Sequence, residues 1–270
     1  MDRKYRVSVI IGIFNCASTL VEALDSLYTQ TFQDFKIILC EDGSTDDTYQ
    51  VAKDYAAKHD NIILVRNERN MGLNYTLNHC LEYVDTEYVA RMDGDDISLP
   101  TRFEKEVNFL DEYPEYAIVS TPMIYFDEQG EFGRGKGGKE PTKEDMAYGP
   151  PFCHAPCMVR SEAYKAVGGY TVDPRLLRFE DYNLWMKMFA KGYRGYMLGE
   201  CLYAMRDDRN AIKRRTLKSA FRGIYAHYLA HKTLKLSKLK LCSYAIKKIA
   251  SRIIPTSLYA VLHKKRLKKH

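Results

Sequence analysis

The sequence predicts an α/β fold built on a doubly wound, mostly parallel sheet, with a C-terminal basic helical extension. Three observations lead there. Strand-like and helix-like segments alternate four times within about 90 residues, joined by short connections. Val7 to Ile13 is a nearly unbroken β-branched run, as a strand covered on both faces requires. Charge also divides along the chain. Of the 41 Lys and Arg, 18 follow Asp208, and no Asp or Glu does, so residues 1–208 carry a net −12 and residues 209–270 carry +18.

Each element follows from its own residues. Val7 to Ile13 is the first buried strand. Asn15 and Ser18 are capping residues, and a helix follows to about Tyr28, with Leu20, Ala23, Leu24 and Leu27 on one face. Phe35 to Cys40 is a second strand. It ends in EDGSTDD, where Gly43 makes a turn and Ser44 or Thr45 caps a helix to about Lys58. Ile62 to Val65 is a third strand, NMGLNYTLNHCLEYV a third helix and Tyr88 to Met92 a fourth strand. Arg102 to Glu112 is a helix ahead of Pro114, and Ala117 to Thr121 is a strand. Gly130 to Lys139 is a Gly- and charge-rich loop. Cys157 to Val159 is extended, Asp181 to Lys191 is a helix, and Gly195 to Leu198 and Leu202 to Met205 are short strands. From Ala211 the chain is basic and helical. The expected organisation is a body over 1–208, with halves 1–100 and 101–208, and a tail over 209–270.

A hydrophobic content of 46% supplies a core. The seven cysteines are odd in number, scattered and without a C-x-x-C pair, so they read as reduced thiols and not as a disulfide framework or zinc site. The N-terminal apolar run is too short for a signal peptide, and no run of 18 apolar residues occurs. The expectation is a cytoplasmic protein without a spanning helix.

The most telling stretch is Arg91 to Asp96, RMDGDD. Asp93, Asp95 and Asp96 place three like charges within four residues, directly after a strand. That arrangement is unfavourable unless something positive meets it, because Asp also suits neither strand nor helix interiors. A hard divalent cation, Mn²⁺ or Mg²⁺, takes carboxylate oxygens as ligands, with Gly94 turning the chain between them. The plainer alternative is an acidic turn with Asp96 or Ser98 capping the next helix. In a doubly wound sheet ligands bind beyond the carboxyl ends of the strands. Glu41–Asp42 and Asp93–Asp96 both stand at such ends and are expected to share one crevice. The phosphate loop G-x-x-x-x-G-K-[ST] and the dinucleotide fingerprint G-x-G-x-x-G are both absent, so a glycine loop does not hold the phosphates.

Five segments in order resemble family 2 glycosyltransferases of the GT-A fold. They are SVIIGIFNCASTLVEALDSLYTQTFQDFKIILCEDGSTDDT, NERNMGLNYTLNHCL, YVARMDGDDISLPTRFEKEV, VGGY and FEDYNLWMKMFAKGY, spanning about residues 5 to 206. The resemblance implies a GT-A nucleotide-diphospho-sugar transferase fold and a metal-dependent, inverting transfer from a UDP-sugar to a hydroxyl of a glycan or lipid-linked acceptor, in cell-surface polysaccharide synthesis. It implies that Asp42 receives the uracil imide and that Phe14, Asn15, Glu41, Asn70, Gly72, Arg91, Asp93 and Gly94 line the donor site. Strand one ends IGIFN where the family often has a Pro-x-Tyr-Asn type sequence, so Phe14 has a ring to stack but no hydroxyl. The metal falls to Asp93 with Asp95 or Asp96, since DGDD allows two registers. Asp181 is implied as the base that takes the acceptor hydroxyl's proton, with Glu180 positioning it. The plainer role for both acids is to complement a helix dipole. His154 and Trp185 fall on the acceptor side, each with a structural alternative. Gly168, Gly169 and Tyr170 form the turn that aims the Glu180–Asp181 helix.

In the tail Ile246, Ile249 and Ile253 fall at helical spacing among many cations. A basic amphipathic helix suits an anionic membrane surface, which makes the protein peripheral on the inner face of the membrane. The alternative is a helical lid on the acidic body. Two other classes compete for the whole chain. A sugar nucleotidyltransferase needs a Gly-rich basic loop after strand one, which is missing. A non-catalytic protein using the tail as a membrane or nucleic-acid arm is at odds with the acidic body, and no nucleic acid is expected.

Overall fold

The structure, a computed structural model, describes residues 4–206 and 216–250. A seven-stranded sheet forms its centre: β1 (Val7–Ile13), β2 (Phe35–Glu41), β3 (Ile62–Arg66), β4 (Tyr88–Arg91), β6 (Tyr116–Ser120), β9 (Met158–Arg160) and β10 (Arg194–Met197). They lie in the order β10-β6-β9-β4-β1-β2-β3. β1 pairs in parallel with β2 and β4, β2 with β3, and β6 with β10. Only β9 runs against its neighbours β4 and β6. The mostly parallel sheet expected from the alternation is therefore present.

β1 shows why its sequence is so uniformly apolar. Val7, Val9, Ile11 and Ile13 enter the core on one face, where α1 (Leu20–Tyr28), α2 (Thr48–Ala56) and α4 (Arg102–Glu112) lie. Ile10 enters the opposite core with Leu77 of α3 (Leu73–Leu81), Ala163 of α5 (Ser161–Val167) and Trp185 of α6 (Glu180–Ala190). Side chains alternate faces along a strand, and here both faces are covered.

A second sheet, absent from the sequence reading, joins β5 (Ile97–Ser98), β11 (Tyr203–Arg206), β7 (Met123–Asp127) and β8 (Gly130–Arg134) in that order. It corrects the expected loop over Gly130 to Lys139, whose first half pairs antiparallel with β7. Glycine and charge suggest a loop, but an edge strand tolerates both.

The expected caps also differ. α1 begins at Leu20 and α2 at Thr48, both without a side-chain cap. The capping residues are used across the chain. Asn15, held at φ 49°, accepts from Thr45 N at 2.9 Å, and Ser44 Oγ accepts from Asn15 N at 3.1 Å. Thr48 Oγ1 accepts from Cys16 N at 2.8 Å. The loops after β1 and β2 are thus stitched to each other.

The tail is partly body. α7 (Leu217–Leu234) buries Ala220, Gly223, Ala226, His227, Ala230, His231 and Leu234, packing on α6 and on the 3-10 turns Lys143–Ala147 and Pro174–Leu176. α8 (Lys238–Ala250) packs on α7 and buries none of its residues fully. A three-ring stack joins them: His227 lies 4.5 Å from Tyr182 of α6 and 3.4 Å from Tyr244 of α8. The body–tail boundary at 208 and Ile253 lie outside the described residues. Among the described residues no helix is long and apolar enough to cross a membrane.

Gly223 permits the docking, because a Cβ there would stand 2.8 Å from the Phe179 ring and 3.1 Å from Tyr244 Oη. Gly223→Leu is expected to destabilise the protein by about 1–3 kcal/mol and to expose α7 to protease. Thermal unfolding with limited proteolysis tests this; a variant as resistant as the parent would refute the docking.

Candidate active site

The parallel strands β1, β2 and β4 end at Ile13, Glu41 and Arg91, and the candidate residues gather just beyond them. Asp42 is buried, and its carboxylate accepts from Asn67 Nδ2 (2.7 Å), Met71 N (2.8 Å) and Gly72 N (3.0 Å). It is not a helix cap; it draws the loop before α3 against the end of β2. Gly72 meets it at φ 89°, a conformation that favours glycine. Gly43, at φ 70°, lets its turn touch the backbone of Arg69 and Asn70, within 2.6 Å of where a Cβ would stand. Asn70 itself is exposed. Glu41 is fully buried, paired with Arg66 Nε at 2.8 Å and accepting from Ser44 N. The side chains of Glu41 and Asn15 are therefore taken up in holding the loops. Phe14 is 45% exposed beside them, its ring open to a ligand.

The acidic stretch is sorted by its partners. Arg91, almost fully buried, pairs through both terminal nitrogens with Asp93. Gly94 packs so closely that a Cβ would stand 3.0 Å from Ile13 and 3.1 Å from Cys16 Sγ. Asp96 is buried, accepting from Tyr203 Oη (2.9 Å) and Arg206 N (2.8 Å). It fastens the loop to β11 and caps no helix; α4 begins six residues later at Arg102. Asp95 receives no hydrogen bond to its carboxylate from another residue among those described. Burial, with Asp93 adding like charge, pushes its carboxyl up to about 6. Both registers of DGDD are present in the sequence, and packing distinguishes them: Asp96 is committed to the protein and Asp95 is not. Among the described residues no three His, Cys, Asp or Glu side chains form a ready metal cage. Asp93, with both oxygens paired to Arg91, and Asp95 stand together at the turn after β4.

The second group lies at the start of α6. Glu180 is buried and accepts from Arg178 N at 2.8 Å. Asp181 is half-buried, and no other residue's side chain among those described donates to it. Burial raises its carboxyl to about 6, with Glu180 pushing the same way; the backbone N–H of Tyr182 opposes, and Arg91 does so to a smaller degree. Arg91 lowers both Asp95 and Asp181, a smaller influence on each than burial. A carboxylate with an affinity near neutrality is suited to taking a proton.

Trp185 takes the core role, its structural alternative, and His154 is held by other side chains. Trp185 is fully buried, edge-on to Phe152 (5.5 Å) and His154 (6.0 Å), and belongs to the core. His154 Nε2 lies 2.9 Å from Tyr170 Oη, whose oxygen is 3.1 Å from Tyr164 Oη. Burial, with the charge of Arg91 acting in the same direction, holds its imidazole well below 6.5, hence neutral. The Gly168–Gly169 turn carries positive φ at both residues and is held by Lys187 of α6, which donates to Val167 O at 3.0 Å and Gly169 O at 2.5 Å. The turn and the helix thus set each other's position.

Sequence reading missed Asn67, Tyr203, Arg206 and Arg102. Arg102 is fully buried, donates to Arg91 O at 2.9 Å and pairs with Glu106 at 3.1 Å. Only its place in the segment SLPTRFEKEV marked it; Tyr203 and Arg206 act on residues more than a hundred positions away, and Asn67 on Asp42 25 positions away.

Asp181 generates a stability prediction. Its native affinity lies near 6 against an ordinary 3.8, so the native state binds the extra proton between these pH values. Wild-type stability therefore falls as pH rises through that window. Asp181→Asn is expected to be more stable by about 1–3 kcal/mol at pH 7.5 and not at pH 4. Urea denaturation at both pH values tests this; an equal difference at both would contradict it.

Comparison with known proteins places the chain in a family. The model of the family "Glycosyl transferase family 2" matches residues 8–168. The putative glycosyltransferase EpsE of Bacillus subtilis (strain 168) is 41% identical over 268 residues, covering 99% of this chain and 96% of its own. The UDP-Gal:alpha-D-GlcNAc-diphosphoundecaprenol beta-1,3-galactosyltransferase of Escherichia coli is 30% identical over 270 residues, covering 97% and 96%. Among solved structures, the mannosyltransferase PcManGT from Pyrobaculum calidifontis, in complex with GDP-Man and Mn²⁺, shares the fold with a TM-score of 0.65. It is 18% identical, with 97% of this chain and 80% of that one covered. These matches decide against a nucleotidyltransferase and against a non-catalytic binding protein. With the family model spanning more than half of the sequence and relatives aligned along nearly all of it, the chain belongs to glycosyl transferase family 2.

Proposed function

We propose that the protein transfers a sugar from a UDP-sugar to a hydroxyl of a lipid-linked glycan, with inversion and with a divalent metal, in building a cell-surface polysaccharide. One observation carries this. Asp181, half-buried at the start of α6 and receiving no side-chain hydrogen bond among the described residues, has its carboxyl raised to about 6 by burial, and Asp93 and Asp95 stand at the turn just after β4. A base and a cation-seeking cluster suit glycosyl transfer. The UDP-sugar and the diphospholipid acceptor follow the activity named for the Escherichia coli relative.

In this reading Phe14 stacks on the uracil. Asp42, with three of its roughly four acceptor positions used by the protein, gives the last to the uracil imide. Asn70 and Gly72 border the nucleotide through the loop that Asp42 holds. Asp95 with Asp93 would hold Mn²⁺ or Mg²⁺, which when bound neutralises charge on the diphosphate. Asp181 takes the acceptor hydroxyl's proton as its oxygen attacks the anomeric carbon; the bond to the phosphate oxygen breaks, and UDP leaves. Attack opposite to the leaving group inverts the centre. Glu180 fixes the residue before α6 and so the direction of Asp181.

The α8 helix adds a membrane contact. Leu239, Ile246 and Ile249 are exposed, with Lys238 and Lys247 beside them, while Lys240 and Lys248 turn inward over Tyr148 and Phe179. An exposed apolar stripe flanked by cations suits an anionic surface.

UDP release from a UDP-sugar with acceptor is expected to require Mn²⁺ or Mg²⁺, and kcat/KM is expected to rise up to about pH 6 and then level as Asp181 deprotonates. Asp181→Asn is expected to lower transfer about 10²–10⁴-fold with UDP binding intact. Full activity in EDTA, an active Asp181→Asn variant, or turnover of GDP-sugars alone would each sink the corresponding part. Separately, Leu239→Glu with Ile246→Glu is expected to reduce cosedimentation with phosphatidylglycerol vesicles; undiminished binding would remove the membrane role of α8.

A further inference from the structure

Asp42 ends a buried relay of polar side chains. Asn67 follows β3 and is buried, as are Asp42 and Thr76. Asn67 Nδ2 donates to Asp42 Oδ1 at 2.7 Å and to Thr76 Oγ1 at 3.1 Å. Its Oδ1 lies 2.8 Å from Nδ1 of His79, a half-buried residue of α3, and accepts from Cys40 Sγ at 3.6 Å. Chemistry fixes the protons along this chain. A carboxylate only accepts, so the amide turns its NH₂ to Asp42. Its oxygen then faces His79, whose Nδ1 must carry the proton. Thr76 Oγ1 spends its own proton on Gly72 O at 3.0 Å and leaves a lone pair for Asn67.

The relay divides the two oxygens of Asp42 unequally. Oδ1 accepts from Asn67 Nδ2 and from Met71 N (2.8 Å), which fills its lone pairs. Oδ2 accepts from Gly72 N at 3.0 Å and from no other residue among those described. One acceptor position is left, on one oxygen. Asp42 N donates to Ile13 O at 3.0 Å, so Phe14, with its exposed ring, follows directly on the residue bonded to Asp42.

A nucleobase stacked on Phe14 would meet a carboxylate able to take one N–H. Uracil presents one on its pairing edge, the imide N3–H between two carbonyls. Guanine presents two side by side, N1–H and the N2 amine, and needs both oxygens of a carboxylate. With Oδ1 filled, one guanine donor would be buried without a partner, which is costly. We propose that Asn67, oriented by His79, makes the donor site select uracil over guanine: it fills Asp42 Oδ1 and holds the carboxylate so that a single position on Oδ2 meets the base. The proposal rests on the reading of Asp42 as the residue that receives the base, and deepens it. Asn67 and His79 are positioning residues, since both act through Asp42.

The test is calorimetric titration of the full chain with UDP and with GDP, each in the presence of Mn²⁺. The parent is expected to bind UDP about tenfold or more tightly than GDP. Asn67→Ala frees the carboxylate to turn. It is expected to raise Kd for UDP about tenfold or more, with a smaller rise or a fall for GDP, so that the preference shrinks. Because Asn67 is buried and its variant can fail to fold, His79 supplies a second measurement. His79→Leu removes the donor that orients the amide and is expected to reduce the preference about threefold or more. His79→Asn carries an N–H at the same branch position as the imidazole Nδ1 and is expected to restore it. Equal weakening of UDP and GDP marks a structural effect alone and overturns the proposal, as does an unchanged preference in His79→Leu. A parent that does not bind UDP, or that binds GDP as tightly, defeats the reading of Asp42 itself, whereas failure of the proposal leaves the parent's preference for UDP in place.

Discussion

A buried guanidinium at the end of β4 organises this molecule. Arg91 is almost wholly removed from water, and a charge so placed is tolerable only with close partners. Asp93 provides the pairing, Cys157 O receives the backbone N–H at 2.9 Å, and Arg102 binds the carbonyl of the same residue. Around this charge burial raises the affinities of Asp95 and Asp181, while the guanidinium restrains both. Without it both carboxyls would lie somewhat higher.

The acidic loop depends on a second device. Asp96 spends its carboxylate on Tyr203 and on the backbone of Arg206, and Tyr203 Oη also accepts from Asp93 N at 3.1 Å. The small second sheet thus acts as a frame for the loop. Opposite it, Asp42 and Asn67 hold the loop before α3, with Asn67 reaching Thr76 Oγ1 at 3.1 Å as well. Much of what looks like ligand chemistry in the sequence is scaffolding for the few side chains left uncommitted.

This explains what the sequence revealed and what it hid. The parallel core was legible because β1 and β2 are buried on both faces and their residues say so without reference to any partner. Arg102 to Glu112 was legible to the residue, since one apolar face and a following proline bound it. The second sheet was not, because β5 and β8 are short, β8 is largely exposed, and pairing partners such as Ser98 and Tyr203 lie more than a hundred residues apart. The candidate site was readable as a set of acids, yet their division into structural and available ones was not. Asp95 and Asp96 are chemically identical neighbours, and only Tyr203 and Arg206 distinguish them. Trp185 shows the same limit: its spacing on α6 places it near Asp181, while the full burial of its ring comes from Phe152 and His154.

The stack of Tyr182, His227 and Tyr244 has a consequence for how such a chain can change over generations. Burial, with the neighbouring His231 and Lys248, holds the imidazole of His227 down to about 3, so the middle ring stays neutral and the stack stays apolar. Tyr182 adjoins Asp181 on the same helix, and its hydroxyl also donates to Met146 O at 2.5 Å. A substitution in any one of the three rings is therefore felt by the residue next to the proposed base. The inner face of the C-terminal helices is thus coupled to α6 through this stack.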